Sequence, residues 1–303
     1  MLDNREVVQN RRCFIRLGVL VTSYARTELL VDCLNSILLS AENLDVPKVV
    51  VHQLQFPQVK SILDEYRRDF EIIQVLRNTG SPVDRINLNR IEGYRLLFDK
   101  HKVDAVLAIE DDVVIAPDSI KFCLGILKEF RKSRNFRGIN LGSRLKIDSD
   151  LLLHSYSMLR YGLHGQAGVI THKTWLRLQN YKLGHLPNIG FDSQIERFLK
   201  TGFMATSNVS RYLDRGYDSF GTHAPKNRNH PDFVLTRESF GLRNNSNLSN
   251  VEEILIDIKK LQLNHSNWRK DCSEYRSISN LFYWAKFIFY DVLKLTRRDE
   301  LLH

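Results

Sequence analysis

From residue 14 to residue 118, short apolar runs alternate with longer segments of helical apolar spacing, and no other feature of the chain limits its fold as much. Residues 14–22 are apolar and end in β-branched side chains, which predicts a buried strand. Residues 23–27 form a loop, and 28–39 have helical spacing. A second strand is expected over 48–54, after Pro47, then a helix over 61–70 and a third strand over 71–76. A turn cluster at 78–82 leads into a helix over 86–101, and a strand over 104–109 runs straight into three acids. Strand and helix in alternation predict an α/β fold with a mainly parallel sheet under covering helices. Ligands of such sheets bind at the carboxyl ends of the strands. Residues 23–27 and the acids Glu110-Asp111-Asp112 both lie at such ends.

Beyond Asp118 the pattern loosens. A helix is expected over 119–131, capped by Asp118 or Ser119, with a glycine-rich stretch at 162–168. Further helices are expected over 174–179 and 191–201, and a strand and loop over 210–224. Residues 244–250 are rich in Asn and Ser and form the best linker, dividing the chain into a domain over 13–243 and a linker with a helical appendage over 244–303. No internal repeat is present.

The 303 residues suffice for one large domain with an appendage, and a hydrophobic fraction of 43% supports a true core. The formal net charge is +9 and the isoelectric point about 9.4. That favours acidic partners: nucleotide phosphates, an anionic membrane surface or nucleic acid. Cys13, Cys33, Cys123 and Cys272 are scattered, as expected of reduced buried thiols rather than a disulfide framework. Residues 1–12 are polar and hold neither a signal-peptide core nor a spanning segment, so a cytoplasmic place, or one on the cytosolic membrane face, is expected. The glycosylation-type sequons at Asn208, Asn244, Asn247 and Asn264 are then chance matches.

Three adjacent carboxylates ending a core strand repel one another and are costly without a compensating cation or solvent. A divalent metal bridging carboxylate to diphosphate oxygens is the natural compensation, and a solvated acidic turn is the plainer alternative. Strand alternation would send Glu110 and Asp112 to one face and Asp111 to the other unless a turn intervenes.

The run from Ala105 to Asp118, AVLAIEDDVVIAPD, resembles the strand, acidic motif and Ala-Pro-Asp of glycosyltransferase family thirteen, which is N-acetylglucosaminyltransferase-like. Upstream, VLVTSYAR from Val19 to Arg26 is similar to the first strand and donor-contacting loop. Downstream, Phe191-Asp192 and Phe220-Gly221-Thr222-His223 continue the likeness, which covers roughly residues 14–232. Bacterial enzymes of the same GT-A type share such motifs. The resemblance implies a GT-A fold, Rossmann-like, with a mixed, mainly parallel sheet flanked by helices, to which the residues beyond it add a helical C-terminal tail. It also implies a nucleoside-diphosphate sugar as donor, Mn2+ or Mg2+ on Asp112, and Glu110 and Asp111 by the ribose and donor sugar. Thr22, Ser23, Tyr24 and Arg26 match the donor loop. Where the family keeps an acid to read uracil, this chain has His52-Gln53, so Gln53 is the candidate base contact and a UDP-linked donor is less secure. Asn89 and Arg90, with Arg77 and Asp84, are weaker nucleotide candidates.

An inverting transferase needs a carboxylate near the acceptor hydroxyl to take its proton. Asp192 opens a helix and could be a mere N-cap; the resemblance carries the base onto it, with Glu196 one turn later as understudy. The resemblance also makes His223 a metal ligand and Thr222 a phosphate contact; Lys226 and Arg228, next along, could neutralise the leaving diphosphate or belong to a solvated basic loop. Gly162, Gly165 and Gly168 lack the Lys-Ser or Lys-Thr of a phosphate cradle, and the resemblance puts 165–168 on the acceptor side. Residues 281–298 are aromatic and basic, suited to a membrane surface and a glycan or lipid-linked acceptor, or to packing on the domain. The alternatives are a sugar-1-phosphate nucleotidyltransferase, against which residues 23–27 lack glycine, and a basic nucleic-acid- or membrane-binding module. No nucleic acid is expected, since the aromatics do not interleave with basic residues.

Overall fold

The computed structural model describes residues 15–76, 80–142, 156–159, 163, 165–179, 190–191, 195 and 202–216. The expected alternation is present. In chain order the elements are β1 (Leu17–Ser23), α1 (Thr27–Ser40), β2 (Lys48–Gln53), α2 (Pro57–Glu65), β3 (Glu71–Val75), α3 (Pro82–Arg95), β4 (Ala105–Glu110) and β5 (Val113–Ile115). They are followed by α4 (Ser119–Glu129), β6 (Phe136–Asn140), β7 (Tyr156–Leu159), β8 (Ala167–Thr171), α5 (His172–Gln179), β9 (Phe203–Ser207) and β10 (Tyr212–Asp214).

Eight strands form one sheet in the order β3-β2-β1-β4-β8-β6-β9-β7. The pairs β3-β2, β2-β1, β1-β4 and β6-β9 are parallel, while β8 runs against both β4 and β6 and β7 runs against β9. Six strands therefore share one direction and two oppose it, a mixed and mainly parallel α/β sheet. The chain steps outward from β1 through β2 to β3, then returns to the other flank of β1 as β4. This reversal makes the carboxyl ends of β1 and β4 a topological switch point, the place where α/β sheets bind ligands. The short strands β5 and β10 pair antiparallel as a separate ribbon.

β1 and β4 read as continuous apolar runs because both of their faces are covered. On one face Leu20, Val49, Val51, Val106, Ala108 and Ile170 pack under Ile91, Tyr94 and Leu97 around α3, with Trp175, Phe191 and Ile195 in the same core. α3 lies close to the sheet because residue 93 is glycine: a Cβ there would sit 2.1 Å from Leu20 Cδ1. α1 and α2 pack together, and α1 also meets α4 and β5.

Several boundaries move for local reasons. α2 begins at Pro57 rather than residue 61, since proline occupies the first turn, and residues 66–70 are turns rather than helix. α3 begins at Pro82 rather than residue 86 because Ser81 and Asp84 form a reciprocal capping box. It ends in a π-helical turn at Leu96–Lys100. The glycine-rich stretch leads into β8, with Gly168 paired between Ala108 and Asn140 at the middle of the sheet. β6 and β9 had no counterpart in the expected pattern. Asn208 is buried and its side chain accepts from Ser157 Oγ at 2.6 Å, so that sequon is closed to a glycan. Cys33 and Cys123 are free and buried, as expected of reduced thiols. Among the described residues no helix is long and apolar enough to cross a membrane. The expected linker and C-terminal helical appendage lie outside the described residues, as do Cys13 and Cys272.

Candidate active site at the carboxyl ends of β1 and β4

β1 and β4 are parallel neighbours with Thr22 opposite Glu110, so both strands leave the sheet at one edge. β1 passes through Tyr24–Arg26 into α1, and β4 passes through Asp111-Asp112 into β5. The backbone N–H of Tyr24 donates to Asp111 Oδ2 at 2.7 Å. The Arg26 guanidinium lies 3.7 Å from Asp111 Oδ1 and contacts Asp112 Oδ2 directly. The Asp111 and Asp112 side chains are 6% and 9% exposed and Arg26 is 29% exposed, so one half-open cation faces two buried carboxylates. Burial pushes the Asp111 carboxyl above its ordinary range, with Glu110 adding to the rise and the Tyr24 amide and Arg26 opposing it. Asp112 Oδ1 is buried and has no hydrogen-bond partner among the described residues.

Glu110 faces the other way. Its Oε1 accepts from Arg90 Nη2 at 2.9 Å, and Arg90, 3% exposed, stands over the Phe191 ring at 5.6 Å. Simple alternation would have paired Glu110 with Asp112. The turn at residues 111–112 instead rotates Asp112 to the side of Asp111, and both share Arg26. The Cys33 thiol of α1 donates to the Glu110 carbonyl at 3.5 Å, and burial first, then the nearby Asp111 and Asp32, hold it protonated.

Of the other residues singled out in the sequence, Thr22 and Ser23 are buried at the end of β1. The Tyr24 ring meets Phe56 edge-on at 4.7 Å, and its hydroxyl accepts from Arg85 Nη2 at 3.2 Å. Gln53 is buried at the end of β2, and both its amide nitrogen and oxygen lack hydrogen-bond partners among the described residues. An unpaired buried amide costs about 1–3 kcal/mol, so it is an uncommon thing for a core to keep. Asn89 is buried beside Arg90 on α3. Asp84 caps that helix. The Gln166 carbonyl accepts from Glu110 N–H at 3.1 Å, which puts the glycine-rich stretch beside the acids. Arg77, Asp192, Glu196, Thr222, His223, Lys226 and Arg228 lie outside the described residues.

Three residues near this corner were not singled out in the sequence. Arg211, 4% exposed at its side chain, lies over the Phe122 ring at 3.9 Å and pairs with Asp118 at 3.3 Å, tying β10 to the start of α4. Gly216 packs against Asp112 itself, and its N–H donates to Asp214 Oδ1 at 2.8 Å. Asp-Arg-Gly reads only as turn chemistry, and nothing in the sequence says which strand that turn faces.

Carboxylate oxygens are hard donors that suit Mn2+ or Mg2+, and the unpartnered Asp112 Oδ1 fits such an ion. Among the described residues no group of three or more His, Cys, Asp or Glu forms a ready-made cage. Mg2+-like ions commonly take one or two carboxylates, with waters and substrate phosphates completing the shell, and this corner fits that sparse pattern.

No protein-family model matches the chain, and no curated protein matches it. Among solved structures, S. aureus TarS 1–349 aligns over 80% of both chains at 14% identity and a TM-score of 0.46. The mannosyltransferase PcManGT from Pyrobaculum calidifontis, in complex with GDP-Man and Mn2+, aligns over 94% of this chain and 83% of that one at 16% identity and 0.45. The inositol-1-phosphate CTP transferase from T. maritima aligns over 74% and 96% at 13% identity and 0.40. The chain spans 36% of a longer TarS structure. These distances are too great to carry any residue's role across.

Proposed function

We propose that this chain is a metal-dependent GT-A glycosyltransferase, moving a hexosyl or N-acetylhexosaminyl group from a nucleoside-diphosphate sugar to an acceptor hydroxyl with inversion. The observation that carries the reading is the pair of buried carboxylates, Asp111 and Asp112, at the switch point of the sheet, both facing the half-open Arg26 guanidinium. In this reading Asp112 holds Mn2+ or Mg2+, which when bound supplies positive charge to the departing diphosphate. Arg26 moves from the carboxylates to the diphosphate, and the uncapped first turn of α1 offers backbone N–H groups on the same side. Glu110, fixed by Arg90, faces the ribose and donor sugar. Tyr24 and Gln53 border the base. Asp192 takes the acceptor proton, while Thr222 and His223 complete the phosphate and metal contacts.

The acceptor is a glycan or a lipid-linked glycan, and the aromatic, basic residues 281–298 rest on the cytosolic face of a membrane. Deleting residues 279–303 should shift the protein from the membrane fraction to the soluble one; unchanged partition counts against that contact.

The central test is donor turnover with and without EDTA. Asp112→Ala should remove the metal-dependent part, and Asp192→Asn should spare donor binding while removing transfer. Full activity in Asp112→Ala with manganese, or in wild type with EDTA, would overturn the metal reading.

A further inference from the structure

We propose that Arg90 is a positioning residue joining the two sides of the proposed reaction centre. It orients Glu110 beside the donor and seats Phe191, the residue before the proposed base Asp192. This rests on the transferase reading above.

The backbone of Glu110 is held from two directions. Its N–H donates to the Gln166 carbonyl at 3.1 Å, and its own carbonyl accepts from Cys33 Sγ at 3.5 Å. What remains free is the side-chain rotamer, and the 2.9 Å bond from Arg90 Nη2 to Oε1 selects it. The two partners are unequal. The Glu110 side chain is 35% exposed and water alone would serve it, whereas Arg90, at 3%, takes its charge out of water to reach it. Arg90 Nε is buried as well, with no hydrogen-bond partner among the described residues. A buried guanidinium is often less favourable to a fold than an apolar side chain of like size. Stability alone is therefore a poor reason for arginine here, and orienting a carboxylate is a better one.

The same guanidinium stands over the Phe191 ring, 5.6 Å from its centroid. Tyr94, one turn further along α3, stacks on that ring at 5.4 Å. Phe191 is buried in the core beneath this helix. One side chain thus serves Glu110 and Phe191 together, and a close-packed core passes a shift at either to the other. Arginine suits both tasks, since its planar group can bond a carboxylate and lie against a ring. Lysine keeps the charge and loses the plane.

The test is steady-state kinetics of the full chain with Mn2+ and a panel of UDP-, GDP-, dTDP- and ADP-hexoses. Release of nucleoside diphosphate, with water as acceptor, is followed, and melting curves show which variants fold. Arg90→Met should raise donor KM and lower kcat, the latter by about 10- to 100-fold, the cost of a reacting group misplaced by about 1 Å. Arg90→Lys should bring KM back toward wild type while kcat stays low. Phe191→Leu should lower kcat alone, and adding it to Arg90→Lys should lower kcat no further, since both act through one contact. A purely structural arginine would change the melting temperature and neither constant. Wild-type kcat and KM in folded Arg90→Met, or losses that multiply in the double variant, would overturn the inference and leave the transferase standing. A wild type that turns over no donor of the panel would overturn both. If Arg90→Met does not fold, Arg90→Lys and Phe191→Leu, singly and together, decide.

Discussion

Replacing Arg26 by alanine leaves Asp111 and Asp112 buried without the guanidinium that serves both. At 3.7 Å and an effective dielectric of 20, a single unit-charge pair is worth about 4–5 kcal/mol before hydration is counted. Stripping one partner from a fully buried pair costs about 3–5 kcal/mol, whereas an exposed pair is worth less than about 1 kcal/mol. Arg26 is 29% exposed and its partners are below 10%, so the loss falls between, at about 2 kcal/mol. For a domain of this size that is a drop in melting temperature of about 4–8 °C. Manganese should then raise the melting temperature of the variant more than that of the wild type, because the ion no longer displaces a resident cation. Donor affinity should fall in the same variant, since Arg26 is lost to the diphosphate. Melting is followed by circular dichroism at pH 7, with and without Mn2+. A variant that melts within 1 °C of wild type without metal, or gains no more from manganese than wild type does, refutes this account of Arg26.

Gly93→Ala should destabilise the fold by about 1–3 kcal/mol, because the new methyl group meets Leu20 Cδ1, Cδ2 and Cγ within 3.0 Å in a close-packed core; urea unfolding measures it. Gln53→Met removes two unpaired buried polar atoms at nearly constant volume. It should raise stability by about 1–2 kcal/mol while weakening nucleotide binding, and a loss of stability would mean that the amide has a partner. Burial lowers the pKa of His52, against a smaller opposing effect of the Gln53 backbone. Below about pH 6.5 the unfolded chain takes a proton that the folded ring refuses, so stability is present above that pH and lost as the pH falls toward the folded value. His52→Asn should flatten this slope, at most about 1.4 kcal/mol per pH unit, in urea titrations at pH 7 and 5.5.

The first half of the chain was legible because its strands β1, β2 and β4 are buried on both faces and each therefore carries an unbroken apolar run. The acids after β4 stand out against such a run, and their place at a strand end follows from the alternation alone. The second half hides its strands. β6 carries Arg137 and Asn140, both buried, which break the apolar pattern. The cost of Asn140 is met across the fold, where its Nδ2 donates to Thr206 Oγ1 at 3.1 Å, and Thr174 Oγ1 likewise donates to the backbone of β6 at Arg137. Such partners lie far away in sequence and leave no local signal. Gly216 was missed for the same reason: only the pairing of β5 with β10, continued by the Arg215 N–H to the Asp112 carbonyl, brings it against Asp112.

That ribbon bears on the order in which the molecule assembles. β5 and β10 come from residues 113–115 and 212–214, with half of the strands of the sheet threaded between them. Pairings over such a separation close late, because the intervening loop entropy must first be overcome. A nascent chain released at residue 130 would already own β1, β4 and all three acids, yet would have no β10 to fix the turn around Asp112 and no Arg211 to bind that strand to α4. The setting of Asp112 is thus among the last things the polypeptide acquires, and an incompletely synthesised protein would carry the acids without the ribbon that fixes their turn.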